Sequence, residues 1–137
     1  MKYKQVMVVL VLLLFAGCTL EEKSSVALPS EGLAATAYEK IVPIIGKEAV
    51  LLEFGSTTCA SCVEMGKILR KIKEEDPQSH VYFIEVYDDK MAMKNYGIQM
   101  IPTQIYLNSK GEETDRHMGV ASYEQLRSKL KAEKIIQ

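Results

Sequence analysis

The sequence predicts an α/β domain, a mixed four-stranded sheet with helices on both faces. Three observations carry that expectation. Apolar spacing alternates helix, strand, helix, strand, helix from residue 33 to residue 96, the order that builds layered α/β domains. One strand, Ala49-Val50-Leu51-Leu52-Glu53-Phe54, is a nearly continuous apolar run, as expected for a parallel strand buried on both faces. From Thr103 onward the chain reads strand, turn, strand, helix, which adds an antiparallel hairpin. The 137 residues are enough for one domain, expected over 32–137.

The elements follow in order. Leu33, Ala37, Ile41 and Ile45 recur every fourth residue with Tyr38 and Val42 beside them, which predicts a first helix over 33–45, shortened by Pro43. After the strand, Gly55-Ser56-Thr57-Thr58 supplies turn and cap chemistry, and a second helix starts at Cys59 and runs toward Pro77. Its Lys67, Arg70, Lys71 and Lys73 read as a solvated face. Val81 to Tyr87 is rich in strand formers, and a shorter helix fits Asp88 to Tyr96, ended by Gly97. Thr103 to Leu107 and the more polar Glu112 to Met118 pair across Asn108-Ser109-Lys110-Gly111. The last helix begins at Ser122, which forms a capping box with Gln125 and buries Tyr123, Leu126 and Leu130.

The first residues have another character. Lys2 and Lys4 precede ten consecutive apolar residues, Val6 to Phe15, and then Ala16-Gly17-Cys18, the layout of a secretory signal peptide over 1–17. A spanning helix needs about 20 apolar residues, so a permanent transmembrane anchor is the weaker reading. The box Phe15-Ala16-Gly17-Cys18 resembles the lipobox of bacterial lipoproteins, with Phe15 where Leu is usual. That resemblance implies cleavage before Cys18 and a lipid thioether on it. The alternative is a secreted protein with a spare thiol. Residues 18–31 are then a lipidated cysteine and a polar tether, which spans about 20 Å on average. Without Lys2 and Lys4 the net charge falls from −1 to about −3, which excludes a nucleic-acid binder.

Cys59 and Cys62 stand three positions apart in the first turn of a helix, close enough to form a disulfide with little backbone movement. Cys59, at the positive end of the helix dipole, is the expected nucleophile, and Cys62, one turn in on the apolar side, the resolving thiol. Zinc is the first competing reading, but there is no second cysteine pair, and His80 and His117 are too far apart in sequence to form a ligand-spaced pair. Haem attachment needs His where Val63 stands. An inert structural disulfide closing so short a loop would restrain the unfolded chain very little. Met91, Met93, Met100 and Met118 raise a Cu(I) reading, against which core packing is the expectation. No metal and no cofactor are therefore expected, and nothing resembles a nucleotide-binding fingerprint.

From Val50 to Leu130 the sequence resembles thioredoxin. The resemblance rests on Leu52-Glu53-Phe54 leading to Cys59-Ala60-Ser61-Cys62, on Tyr96-Gly97-Ile98-Gln99-Met100-Ile101-Pro102-Thr103, and on a closing Gly119. It implies the thioredoxin fold and a redox-active Cys59–Cys62 pair. By itself the sequence leaves the Ile101–Pro102 bond trans, as about 95% of X–Pro bonds in folded proteins are; the resemblance implies cis, with Pro102 packed on the disulfide and the Ile101 backbone pairing with an extended substrate. Thr58, Ala60, Ser61, Ile101, Pro102, Gly119 and Val120 would line the substrate groove. Glu53 falls where the family carries a buried acid, and burial would raise its pKa so that it takes the proton of Cys62. The alternative is a glutamate reaching solvent from the strand end.

Departures from the family bear on direction. Ala60-Ser61 replaces Gly-Pro, Thr58 replaces a Trp, and Glu85 stands approximately where a Lys is usual. No His lies between the cysteines, where strong oxidants carry one, which favours the reducing side. The expectation is an extracytoplasmic, lipid-anchored, monomeric reductase. Its substrates would be disulfide-containing envelope proteins and its electron source a transmembrane thiol donor of the disulfide-reductase or cytochrome-c-biogenesis type. An oxidase using the same residues and a non-catalytic Cu(I)-binding module are the alternatives.

Overall fold

A computed structural model describes residues 31–137. Cys18, the signal peptide and all of the tether except Glu31 lie outside the described residues. Among the described residues eight elements follow one another: α1 (Tyr38–Ile41), β1 (Val50–Gly55), α2 (Ala60–Glu75), β2 (Val81–Glu85), α3 (Lys90–Asn95), β3 (Thr103–Leu107), β4 (Glu113–Met118) and α4 (Tyr123–Ala132). The sheet order is β2-β1-β3-β4. β1 runs parallel to β2 and antiparallel to β3, and β3 is antiparallel to β4, so the sheet is mixed as the sequence predicts.

The period-two alternation of β1 divides the core. Val50, Leu52 and Phe54 face a cluster with Ile41, Ile84 and Ile105. Leu51 faces the opposite way, into a cluster with Met65, Leu69, Tyr106, Leu126 and Leu130 from α2, β3 and α4. Every residue of β1 is buried, which is why its sequence reads as a continuous apolar run. At about 1.5–3 kcal/mol for each fully buried Leu, Ile or Phe, these two layers dominate the stability of the domain.

Two helix ends carry the expected signals, whereas Ala37, Cys59 and Asp89 cap α1, α2 and α3 without a side-chain hydrogen bond. Ser122 caps α4: its hydroxyl accepts from the Gln125 N–H (3.2 Å) while Gln125 Oε1 accepts from the Ser122 N–H (2.9 Å). Gly97, at φ +60°, follows the end of α3. Cys59 is the N-cap of α2 rather than its first residue.

The first predicted helix needs correction. Instead of a helix over 33–45, only Tyr38–Ile41 is helical. Leu33 packs against the α2 side of the sheet and Ile41 against the other, so one straight helix cannot bury both ends of the stripe. The chain passes the sheet edge in extended form, with the Thr36 N–H donating to the Phe83 carbonyl (2.8 Å) and Ala35 bridging Phe83. Asp89 Oδ2 then accepts from the Tyr38 N–H (2.9 Å) and starts the short helix.

Candidate active site

The topology brings three chain segments to one end of the sheet. β1 ends at Gly55, where the loop to Cys59 leaves. β3 begins at Thr103, paired with Phe54, so Pro102 stands beside that exit. Thr103 also pairs with Met118, the last residue of β4, which places Gly119 and Val120 at the same end.

Ser56, almost fully buried, organises the loop. Its carbonyl accepts from the Cys59 N–H (3.2 Å), and its hydroxyl accepts from the Thr58 N–H (3.2 Å) and meets Thr58 Oγ1 (3.0 Å). Glu85 Oε2 accepts from the Thr57 N–H (2.8 Å), so the residue approximating the family's lysine position tethers the loop instead. Gly55 permits the close approach of α2: a Cβ there would lie 2.7 Å from the Phe83 ring and 3.2 Å from Cys62 Cβ.

Both thiols are free, and their environments differ. Cys59 is half-buried at the helix start, with Thr58 and Ala60 exposed on either side. Its pKa is lowered, first by the Cys62 thiol and then by the half-buried Ser61, whose Oγ lies 3.2 Å from Cys59 Sγ. Side-chain donors lead here, ahead of the backbone N–H groups of the helix end. Cys62 has no exposed surface, and burial pushes its thiol up to about 12, with Cys59 and Glu53 adding to the effect.

Glu53 does not reach solvent. It is fully buried, and neither carboxylate oxygen has a hydrogen-bond partner. Burial raises its pKa to about 8, and the amide of Gln104, its direct cross-strand neighbour, pulls weakly the other way. Gln104 is itself fully buried, and its Nε2 donates to the Gly119 carbonyl (3.2 Å).

The Ile101–Pro102 peptide is cis, and Pro102 is buried while Ile101 is half-buried. The Gly119 N–H donates to the Pro102 carbonyl (2.8 Å), and the Thr103 hydroxyl donates to the Met100 carbonyl (2.8 Å). Gly119 has φ +98°, a conformation that favours glycine, and Val120 beyond it is exposed. Met100 (51% exposed) and Met118 (59%) flank these loops. The expectation that the methionines fill the core fails for Met91, Met100 and Met118, which are exposed; Met93 alone of the four packs against it. A loop residue before Pro102 and the end of exposed β4 have no core to enter. Among the described residues, no group of three or more His, Cys, Asp or Glu side chains could hold a metal ion.

Ser56 and Gln104 are the residues that sequence reasoning missed. The signal for Gln104 was the one that drew attention to Glu53, a polar residue inside an apolar strand run. Ser56 read only as turn chemistry.

A family model described as a thioredoxin-like domain matches residues 39–134. The chain belongs to the thioredoxin-like domain family. Among solved structures it resembles the thioredoxin of Malassezia sympodialis, Mala s 13, with a TM-score of 0.62 at 21% identity, over 74% of this chain and 91% of that one. At that identity the likeness shows the fold alone. No curated protein gives a significant sequence match. Membership in this family points to thiol–disulfide redox chemistry, for which the close Cys59–Cys62 pair is compatible.

Proposed function

We propose that this protein is an extracytoplasmic thiol–disulfide oxidoreductase that reduces disulfides of envelope proteins, held at a membrane by lipid on Cys18. The observation that carries the catalytic part is the split between the two thiols. Cys59 is accessible and acidified, whereas Cys62 is buried, held near 12, and backed by an acid whose own pKa is near 8. That is the division of labour a dithiol reductase needs.

Cys59 thiolate attacks one sulfur of the substrate disulfide, forming a mixed disulfide and releasing the first substrate sulfur as thiolate. Cys62 gives its proton to ionised Glu53 and attacks Cys59 Sγ. The bond from Cys59 to the substrate breaks, the second substrate sulfur leaves with the electron pair, and Cys59–Cys62 is left oxidised. Two electrons have passed to the substrate. Glu53 then returns its proton to the departing thiolate or to solvent. The loops at Pro102 and Gly119, with Thr58, Ala60, Ser61, Ile101 and Val120, form the groove for an extended substrate segment. A transmembrane thiol donor of the disulfide-reductase or cytochrome-c-biogenesis type would restore the dithiol.

Replacing Cys62 by Ser tests the chemistry: the variant should accumulate partners disulfide-linked to Cys59. Failure to trap any, where a parallel trap control succeeds, overturns catalysis. The reduction potential sets direction; a value near −270 mV supports a reductase and one near −120 mV makes the same residues an oxidase. For the anchor, labelled fatty acid should enter the wild-type chain and not Cys18→Ala. Equal labelling of both removes it.

A further inference from the structure

Glu53, Gln104 and His117 form one cross-strand row on the α2 and α4 side of the sheet, with Phe83 opposite Glu53 on β2. Within it, three buried atoms have no hydrogen-bond partner: both carboxylate oxygens of Glu53, and Gln104 Oε1. A buried polar group without a partner costs about 1–3 kcal/mol, so a fully buried acid and amide placed side by side in an apolar layer call for a reason. Gln104 Nε2 carries two hydrogens, and one goes to the Gly119 carbonyl. The other is available to Glu53.

We propose that Gln104 is a positioning residue for the exchange reaction: one N–H of its amide holds the Gly119 rim of the groove while the other serves the ionised form of Glu53. The inference rests on the reductase reading above, in which Glu53 must be ionised to take the proton of Cys62. When the proton arrives, the carboxyl O–H can turn to Gln104 Oε1. A hydrogen bond to a charged group is roughly twice as strong as a neutral one, so the net effect of Gln104 favours ionised Glu53. The same amide therefore ties proton acceptance behind Cys62 to the loop that contacts substrate in front of Cys59. The titratable groups facing Glu53 are Cys62 from α2 and Tyr106 from β3, and His117 stands exposed beyond Gln104 on β4. β2 and α4 contribute the apolar Phe83, Leu126 and Leu130 to this layer.

The experiment measures, across pH 5 to 10, the rate at which the reduced full-length protein resolves a preformed mixed disulfide between Cys59 and a small aromatic thiol, which reports Cys62 attack directly. Wild type should show a rate rising through the Glu53 titration. Gln104→Leu, close in volume and suited to an apolar layer, should shift that rise to higher pH and slow resolution severalfold at pH 7. It should also raise KM for a disulfide-bonded protein substrate, because the Gly119 carbonyl loses its donor. In a Glu53→Gln background, adding Gln104→Leu should leave the pH profile unmoved. If Gln104→Leu shifts nothing in the Glu53 background, or shifts the profile equally in both, the proposal is wrong. Those failures are distinct from failure of the reductase reading, in which wild type itself would not resolve the mixed disulfide. A circular-dichroism melt of each variant separates loss of fold, and Gln104→Met provides a second apolar replacement of similar length that must give the same shift.

Discussion

Replacing Glu53 by Gln should stabilise the protein, and by an amount that grows with pH. The carboxyl of Glu53 is fully buried without a hydrogen-bond partner, and its pKa rises from 4.5 to about 8 on folding. The folded state therefore resists ionisation that the unfolded chain undergoes freely. Below pH 4.5 both states hold the acid neutral and nothing is lost. As pH rises the unfolded chain gives up its proton first, and stability falls by about 1.4 kcal/mol per unit until the folded state ionises as well. The loss is about 3 kcal/mol at pH 7 and approaches about 5 kcal/mol above pH 8. Glutamine has the same shape and cannot ionise, so Glu53→Gln escapes that loss. Urea unfolding at pH 4.5, 7 and 8.5 measures it. With a slope of about 1–3 kcal/mol/M, the midpoint of the variant should exceed wild type by about 1–3 M at pH 7 and match it at pH 4.5. A difference that is the same at all three pH values would refute the reasoning, because it would show that Glu53 does not titrate between them in the folded protein.

Ser61→Ala removes a hydroxyl 3.2 Å from Cys59 Sγ and should raise the pKa of Cys59, seen as a shift of iodoacetamide reactivity to higher pH; an unchanged profile would assign the acidity to Cys62 and the helix end alone. Gly55→Ala forces a Cβ to within 2.7 Å of Phe83 and should cost about 1–3 kcal/mol in urea unfolding, while an unaltered midpoint would mean that Phe83 swings aside freely. Ser122→Ala breaks the capping box of α4 and should lower stability by about 1 kcal/mol, with Ser122→Asp, which still accepts from the Gln125 N–H, retaining most of it.

The sequence by itself determined the layers, the sheet elements and the thiol pair, because each has a local physical signature. A strand buried on both faces must be apolar throughout, a hairpin must turn, a capping box needs Ser122 and Gln125 three apart, and Cys59 and Cys62 meet through helical spacing alone. Spacing fails where one apolar stripe serves two faces. Leu33 and Ile41 look like one helix, yet only the packed sheet shows that they lie on opposite sides of it. The methionines fail for a related reason, since hydrophobicity does not say whether a core exists at that position, and Met100 and Met118 fall where the strands have ended or face outward. The acid behind Cys62 was legible as an anomaly in an apolar strand. Its partner was not, because Gln104 lies fifty-one positions further along and only the β1–β3 register sets the two side by side. Tertiary structure also decided how far apart the two thiols stand in acidity. Cys59 is acidified within its own first turn, by the Cys62 thiol and the Ser61 hydroxyl as well as the helix end, whereas Cys62 is pushed up to about 12 because the packing of α2 on the sheet buries it completely.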